Sequence, residues 1–135
     1  MRNWPQSARE VLMKLPLMVA RWRDAWQSLD PAVIAALYAP DGTHMSAVVA
    51  GRMKRPDGTL RGREEIRAYA EATAARLKSF QAEITSVIAE ETTDGGRASV
   101  EYWRTINGDE GGRARVVEII EWRQDAITAC RVFHF

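Results

Sequence analysis

The chain is expected to form an α+β domain in which a curved antiparallel sheet wraps around three N-terminal helices and closes with them into a cone. An aromatic-lined helical segment runs into Ala39-Pro40-Asp41-Gly42-Thr43-His44, and Leu60-Arg61-Gly62-Arg63-Glu64-Glu65-Ile66 opens another helix. From Gln81 to Phe135 the apolar period is two, the spacing of strand. Amphipathic helices gathered ahead of a run of strands pack on one face of the sheet those strands form, with room for a pocket between the layers.

Met1 to Gln6 has no periodicity and reads as a loose lead-in, with Ser7 capping a short turn of helix that reaches Lys14. Residues 1–14 are thus the loosest part of a single domain spanning 1–135. Pro16 suits the first residue of the main helix, where its missing N–H costs nothing, and Leu15, Met18, Val19, Trp22, Trp26 and Leu29 recur at steps of three and four. Two indoles therefore share one stripe. Asp30-Pro31 ends this helix and starts the next, with Asp30 as N-cap and Val33, Ile34, Leu37 and Tyr38 turned inward until Pro40 stops it. Asp41-Gly42 is a turn, Thr43 to Val49 alternates as a strand, and Arg55-Pro56-Asp57-Gly58 punctuates a hairpin or a loop. In the helix after Gly62, Ile66, Tyr69, Ala70, Thr73, Ala74, Leu77 and Phe80 define one face. Glu83 to Glu90, Arg97 to Ile106, Arg113 to Arg123 and Ile127 to Phe135 then read as a meander of strands, joined at Asp94-Gly95-Gly96, Asn107 to Gly112 and Gln124-Asp125.

Composition removes several classes of function. Nineteen Lys and Arg against eighteen Asp and Glu leave a net charge of +1, so no global field holds nucleic acid or an anionic membrane, and neither is expected as a partner. The lone Cys130 cannot make an internal disulfide and suits a small core residue in a reducing compartment. Val11 to Ala20 is apolar enough to raise a signal peptide, but Lys14 and Pro16 interrupt it, Arg21 and Arg23 follow at once, and a small-residue cleavage signature is missing. No run approaches the roughly twenty apolar residues of a membrane span. A cytoplasmic protein is expected. Two histidines and one cysteine without H-x-H, C-x-x-C or carboxylate–His spacing predict no metal site, and without a glycine-rich strand-to-helix loop no cofactor is expected.

Trp22-Arg23-Asp24-Ala25-Trp26, then Asp30-Pro31 through Tyr38-Ala39-Pro40-Asp41-Gly42, then Leu60 to Ile66 and the closing Ile127 to Phe135 together resemble the nuclear transport factor 2-like (cystatin-like) superfamily. Within it the chain is similar to the SnoaL-like group of small single-domain proteins, over roughly Met18 to the C-terminus. The resemblance implies a curved sheet around helices, a homodimer formed through the outer sheet face, and a small molecule held in the cone. Ketosteroid isomerases, polyketide cyclases, limonene epoxide hydrolases and scytalone dehydratases share that fold, so fold alone does not select a reaction.

The isomerase pattern implies a carboxylate base at the end of the first strand and a tyrosine on the first helix; Ser46 and Trp22 stand at those positions, and Ile120 where a neutral acid would complete the oxyanion hole. Ser46 cannot abstract a proton from carbon at neutral pH unaided. Of the epoxide-hydrolase Asp-Arg-Asp set, the matching positions Ser99-Val100-Glu101 and Val132 retain only Glu101. The cyclase pattern asks for a single acid or base among apolar walls, which this chain can supply from Glu118, His44 or His134.

Glu118 is the sharpest of the three. If Ile120 and Trp122 point inward along Val116 to Trp122, so does Glu118, with a pKa raised by burial and suited to a general acid or base. The alternative is an ion pair with Arg104 or Arg131 across the sheet, and whether Glu101 or Glu118 faces the pocket is open at this point. His44 is expected to move a proton near pH 7 as Glu118's partner, or to be a core or rim residue. His134 and the aromatics Trp22, Trp26, Tyr38, Tyr69, Tyr102 and Trp122 are expected to line the cavity or to fill the core, and Arg104 to meet a ligand carboxylate or a surface acid. The expected protein is a SnoaL-like small-molecule binder, with cyclase, isomerase or dehydratase chemistry on a small apolar or aromatic molecule; the alternative is a non-catalytic ligand-binding or dimerisation module. Catalysis requires Glu118 and His44 to face one cavity within water-bridged reach. A cavity filled by Trp22, Trp26 and Trp122 favours the module.

Overall fold

In the computed structural model, which describes residues 15–135, the helices lie on one face of an open, curved six-stranded sheet. Helix α1 (Leu17–Ser28) opens after Pro16, one residue later than expected, within the usual spread of helix ends. It buries Met18, Val19, Trp22, Ala25 and Trp26, the stripe of three-and-four spacing, and stops where Leu29 turns left-handed at φ 53°. The expected capping by Ser7 falls outside the described residues.

Helix α2 (Pro31–Ala36) starts as its sequence dictates. The Asp30 carboxylate accepts from Ala32 N at 3.0 Å and Val33 N at 3.4 Å, filling two of the backbone donors a helix start leaves open. Asp30→Ala should lower stability by about 1 kcal/mol in a thermal or urea melt. A loss near zero would mean water serves those donors equally well. Ile34 and Ala35 face the core, whereas Val33, expected inside, is 46% exposed.

Strand β1 (Tyr38–Met45) already begins at Tyr38, so the helix ends before Pro40 could stop it and Asp41-Gly42 is not the turn expected. The chain passes through it as an irregularity: β1's register with its neighbour shifts between Tyr38 and Thr43, where a proline without an N–H is tolerated. A second difference follows at once. Ala47–Arg52, expected as the end of a strand, is a short helix, α3, because the Ser46 side chain accepts from Val49 N at 3.1 Å and caps it. Strand β2 (Thr59–Arg61) then pairs back on β1 after the turn in which Gly58 N donates to Arg55 O. Helix α4 (Arg63–Arg76) lays Ile66, Tyr69, Ala70 and Thr73 against the sheet.

The remaining strands, β3 (Phe80–Thr92), β4 (Gly95–Ile106), β5 (Arg113–Arg123) and β6 (Ala126–His134), form the expected meander. Spatial order is β2-β1-β6-β5-β4-β3, and β6 runs parallel to β1, so the sheet is mixed at that one junction and antiparallel elsewhere. Register shifts between Ile84 and Ser86 and between Glu121 and Trp122 mark bulges, which add local twist and bend a strand. Val100, Val116, Ile120, Ile127 and Cys130, with no exposed area, form the floor under α1 and α4. No helix among the described residues is long and apolar enough to cross a membrane.

Candidate functional site

Burial along β5 alternates without a break: Val116, Glu118, Ile120 and Trp122 are buried, while Val117, Ile119 and Glu121 are only partly so. Period two thus carries one carboxylate onto the face that carries the core. Glu118 is 3% exposed and lines a cavity of about 590 Å³, open mouth included, between the sheet and helices α1 and α4. Trp22 and Trp26 of α1, His44 of β1, Tyr69 and Thr73 of α4, and Tyr102 and Arg104 of β4 supply much of its wall.

Glu118 is satisfied by neutral donors rather than by a cation. Trp22 Nε1 donates to its Oε2 at 2.9 Å, and the Tyr102 hydroxyl donates to its Oε1 at 2.9 Å. The expected alternative, an ion pair with Arg104 or Arg131, does not form: Arg131 pairs with Glu121 at 2.6 Å on the outer face. Glu101 also faces outward, paired with Arg115, which settles which of the two glutamates meets the cavity. Burial pushes the Glu118 pKa up from 4.5 to about 7, against the opposing pull of Tyr102, Trp22 and Cys130. Near neutral pH the group therefore exists in both protonation states.

His44 faces the same cavity, 4% exposed, and burial lowers its pKa to about 4. Burial thus favours its neutral imidazole at pH 7. Its Nδ1 shares a 3.0 Å hydrogen bond with the Tyr38 hydroxyl, so the tautomer sets whether Nε2 gives or takes a proton. Behind it the Cys130 thiol lies against both Tyr38 and Glu118, and burial pushes that thiol well up. Ligand atoms of His44, Glu118 and Cys130 fall within 4.8 Å of one another. Sequence spacing shows no such cluster, because the three residues come from three strands. This trio is the set that could hold a metal ion, but both Glu118 oxygens already accept hydrogen bonds, and the thiol would have to shed a tightly held proton.

Of the residues expected to bind ligand, Trp22, Trp26, Tyr69, Tyr102 and His134 line the cavity, His134 from an exposed position. Tyr38 and Trp122 do not. Tyr38 is fully buried beneath His44, and Trp122 lies on the same inner face but farther along β5, packed on Gly96, where a Cβ would meet its ring at 2.5 Å. The cavity is thus not plugged by the three indoles. Ser46, at the end of β1, lines it while capping α3. Thr73 and Cys130 were assigned only to the core by sequence; the α4 face that contains Tyr69 and Thr73 was the available signal for the first, and none existed for the second.

The SnoaL-like domain family model matches residues 19–130. None of the curated proteins is a significant match to the chain. Among solved structures, a SnoaL-like protein of unknown function from Burkholderia thailandensis is similar at TM-score 0.69 and 20% identity, covering 97% of each chain. A candidate polyketide cyclase from Sinorhizobium meliloti is similar at 0.66 and 19%, covering 90% of this chain and 97% of that one. A hypothetical protein of ketosteroid isomerase-like fold from Catenulispora acidiphila, in complex with trimethylamine, is similar at 0.65 and 22%, covering 89% and 86%.

Proposed function

We propose that this chain, which belongs to the SnoaL-like domain family, binds a small apolar or aromatic molecule in its cavity and exchanges a proton with it through Glu118, without a cofactor. The observation that carries the reading is a buried carboxylate held by two neutral donors, with a pKa brought to about 7 by burial and no cation to pin it ionised. A base works best when its pKa lies near the working pH. In the ionised state Glu118 takes a proton from an acidic carbon of the substrate, leaving an enolate, and the carboxylic acid so formed returns the proton to a different atom. Trp22 and Tyr102 fix the carboxylate's orientation throughout. His44, neutral and within 4.8 Å of the Glu118 and Cys130 ligand atoms, is the polar neighbour of the reacting centre rather than its acid. Cyclase, isomerase and dehydratase steps share this proton exchange.

Deuterium uptake tests it without knowing the product. In D2O, the protein should wash deuterium into the acidic C–H of bound cyclic and aryl ketones, read by proton NMR, and Glu118→Gln should slow this by about 100-fold or more. Equal rates for variant and parent, or ketones that bind and never exchange, would overturn the reading.

A second reading has its own support. The outer sheet face bears Ile88 at 75% exposure and Phe133 at 42%, with Val117 and Ile119 between them in the strand register. Such a patch fits a homodimer or assembly module. Sedimentation of Ile88→Lys with Phe133→Glu against the parent distinguishes it: association should be lost while ketone exchange within each subunit persists.

A further inference from the structure

The cavity is rich in donors that no described residue uses. Trp26 Nε1, Thr73 Oγ1 and Arg104 Nε are each buried without a hydrogen-bond partner, and all three residues line this one space. Trp26 and Thr73 are each 6% exposed. Trp26 Nε1 approaches the Tyr38 hydroxyl, and Thr73 that of Tyr69, without reaching hydrogen-bonding geometry. A buried donor left unmade is costly, so three on residues that line one hollow are three donors waiting for an acceptor.

Charge in the cavity has the same sign. Arg104 sits two residues beyond Tyr102 on the inner side of β4 and has no carboxylate partner among the described residues, whereas seven other arginines of the described chain each pair with an acid on another element or four residues away. Arg52 stands exposed at the rim, and burial, joined by the positive field of Arg104, lowers the pKa of His134. Among the described residues the only acid in the lining is Glu118. A guanidinium offers a planar fork matched to a carboxylate, and a single one balances a single negative charge.

We infer that the ligand of this cavity is a small carboxylate, its anionic end on the fork of Arg104 and the idle donors of Trp26 and Thr73, its apolar body among the aromatic side chains. A phosphate fits less well: it has a second charge, and among the described residues no second cation stands beside Arg104 inside the cavity to meet it. A cationic amine finds its charge opposed by Arg104. This inference rests on the reading that the cavity binds a small molecule, but not on proton transfer by Glu118.

Benzoate, its neutral isostere benzamide, and benzylamine are the probes, titrated into the full chain by calorimetry or chemical-shift perturbation. Benzoate should bind at least about 10-fold tighter than benzamide, and benzylamine weakest. Arg104→Gln should erase the preference for benzoate over benzamide, Arg104→Lys should restore part of it, and Glu118→Gln should retain it. The comparison of benzoate with benzamide needs no variant, so a misfolded Arg104→Gln would not blunt it. Benzamide binding as well as benzoate, preference surviving in Arg104→Gln, or no benzoate binding at millimolar concentration would each overturn the inference. Ketone exchange that persists in any of these cases would leave the proton chemistry standing and remove only the carboxylate.

Discussion

Trp22→Ala should lower the free energy of unfolding by about 3–5 kcal/mol, the largest loss expected from one substitution in this fold. The ring is 1% exposed and stands edge-on to Tyr102, centroids 5.3 Å apart at 64°. Its N–H is also one of the two neutral donors on Glu118. Alanine removes packing and donor together; Trp22→Phe separates them, since it keeps much of the apolar volume and loses only the hydrogen bond. The phenylalanine protein should unfold at an intermediate denaturant concentration, with its Glu118 pKa above that of the parent because a bond to the charged form is gone. Urea melts and a carboxyl-labelled NMR titration read the two effects. A loss below about 1 kcal/mol for Trp22→Ala would show that the indole is not a pillar of the core.

Glu118 and His44 should hide one another's effect on stability, and single variants should expose it. The folded protein holds the Glu118 proton up to about pH 7, whereas the unfolded chain releases it near 4.5; stability is therefore full below 4.5 and is lost as pH rises toward 7, by about 3 kcal/mol. For His44 the folded pKa is about 4 against 6.5, so stability is full above 6.5 and is lost as pH falls toward 4, by about 3 kcal/mol. Between pH 4.5 and 6.5 the folded state keeps one proton on Glu118 and the unfolded state one on His44. Equal proton counts give no slope from this pair. Glu118→Gln should then gain stability from pH 4 to 6.5, and His44→Gln should lose it from 4.5 to 7. Exposed acids titrate alike in all three proteins, so differences between the profiles isolate the pair. Three parallel profiles would mean that neither group is as dry as the fold makes it.

The meander was legible because alternation is visible inside a single strand: Val116, Glu118, Ile120 and Trp122 announce their common face without reference to anything else. The same parity made Glu118 a candidate for the cavity carboxylate on the condition that Ile120 and Trp122 point inward, and left Glu101 as its open rival. The partners of Glu118 were not legible, since Trp22 lies 96 residues away and only the packing of α1 on β5 brings the indole to the carboxylate. The helix Ala47–Arg52 went unread because six residues, two of them valine, show no helical period, and its one marker was Ser46 as a cap. Asp41-Gly42 read as a turn because local residue preference cannot foresee a strand that passes through an irregularity beside its neighbour. Arg104 was open between a ligand carboxylate and a surface acid, because the lack of an acid near it among the described residues belongs to the assembled sheet.

Strand β6, which lies between β1 and β5, has a consequence for how the molecule comes into being. A ribosome makes β6 after every other strand described, so β1 and β2 emerge long before the one that joins them to the meander. Until Ile127 reaches Tyr38, the nascent sheet is two unconnected pieces, each presenting a bare backbone edge to solvent. Trigger-factor-like holdases should engage the chain for most of its translation, and nascent chains stalled before Ala126 should be protease-sensitive throughout, then turn resistant in one step once the final strand clears the exit tunnel.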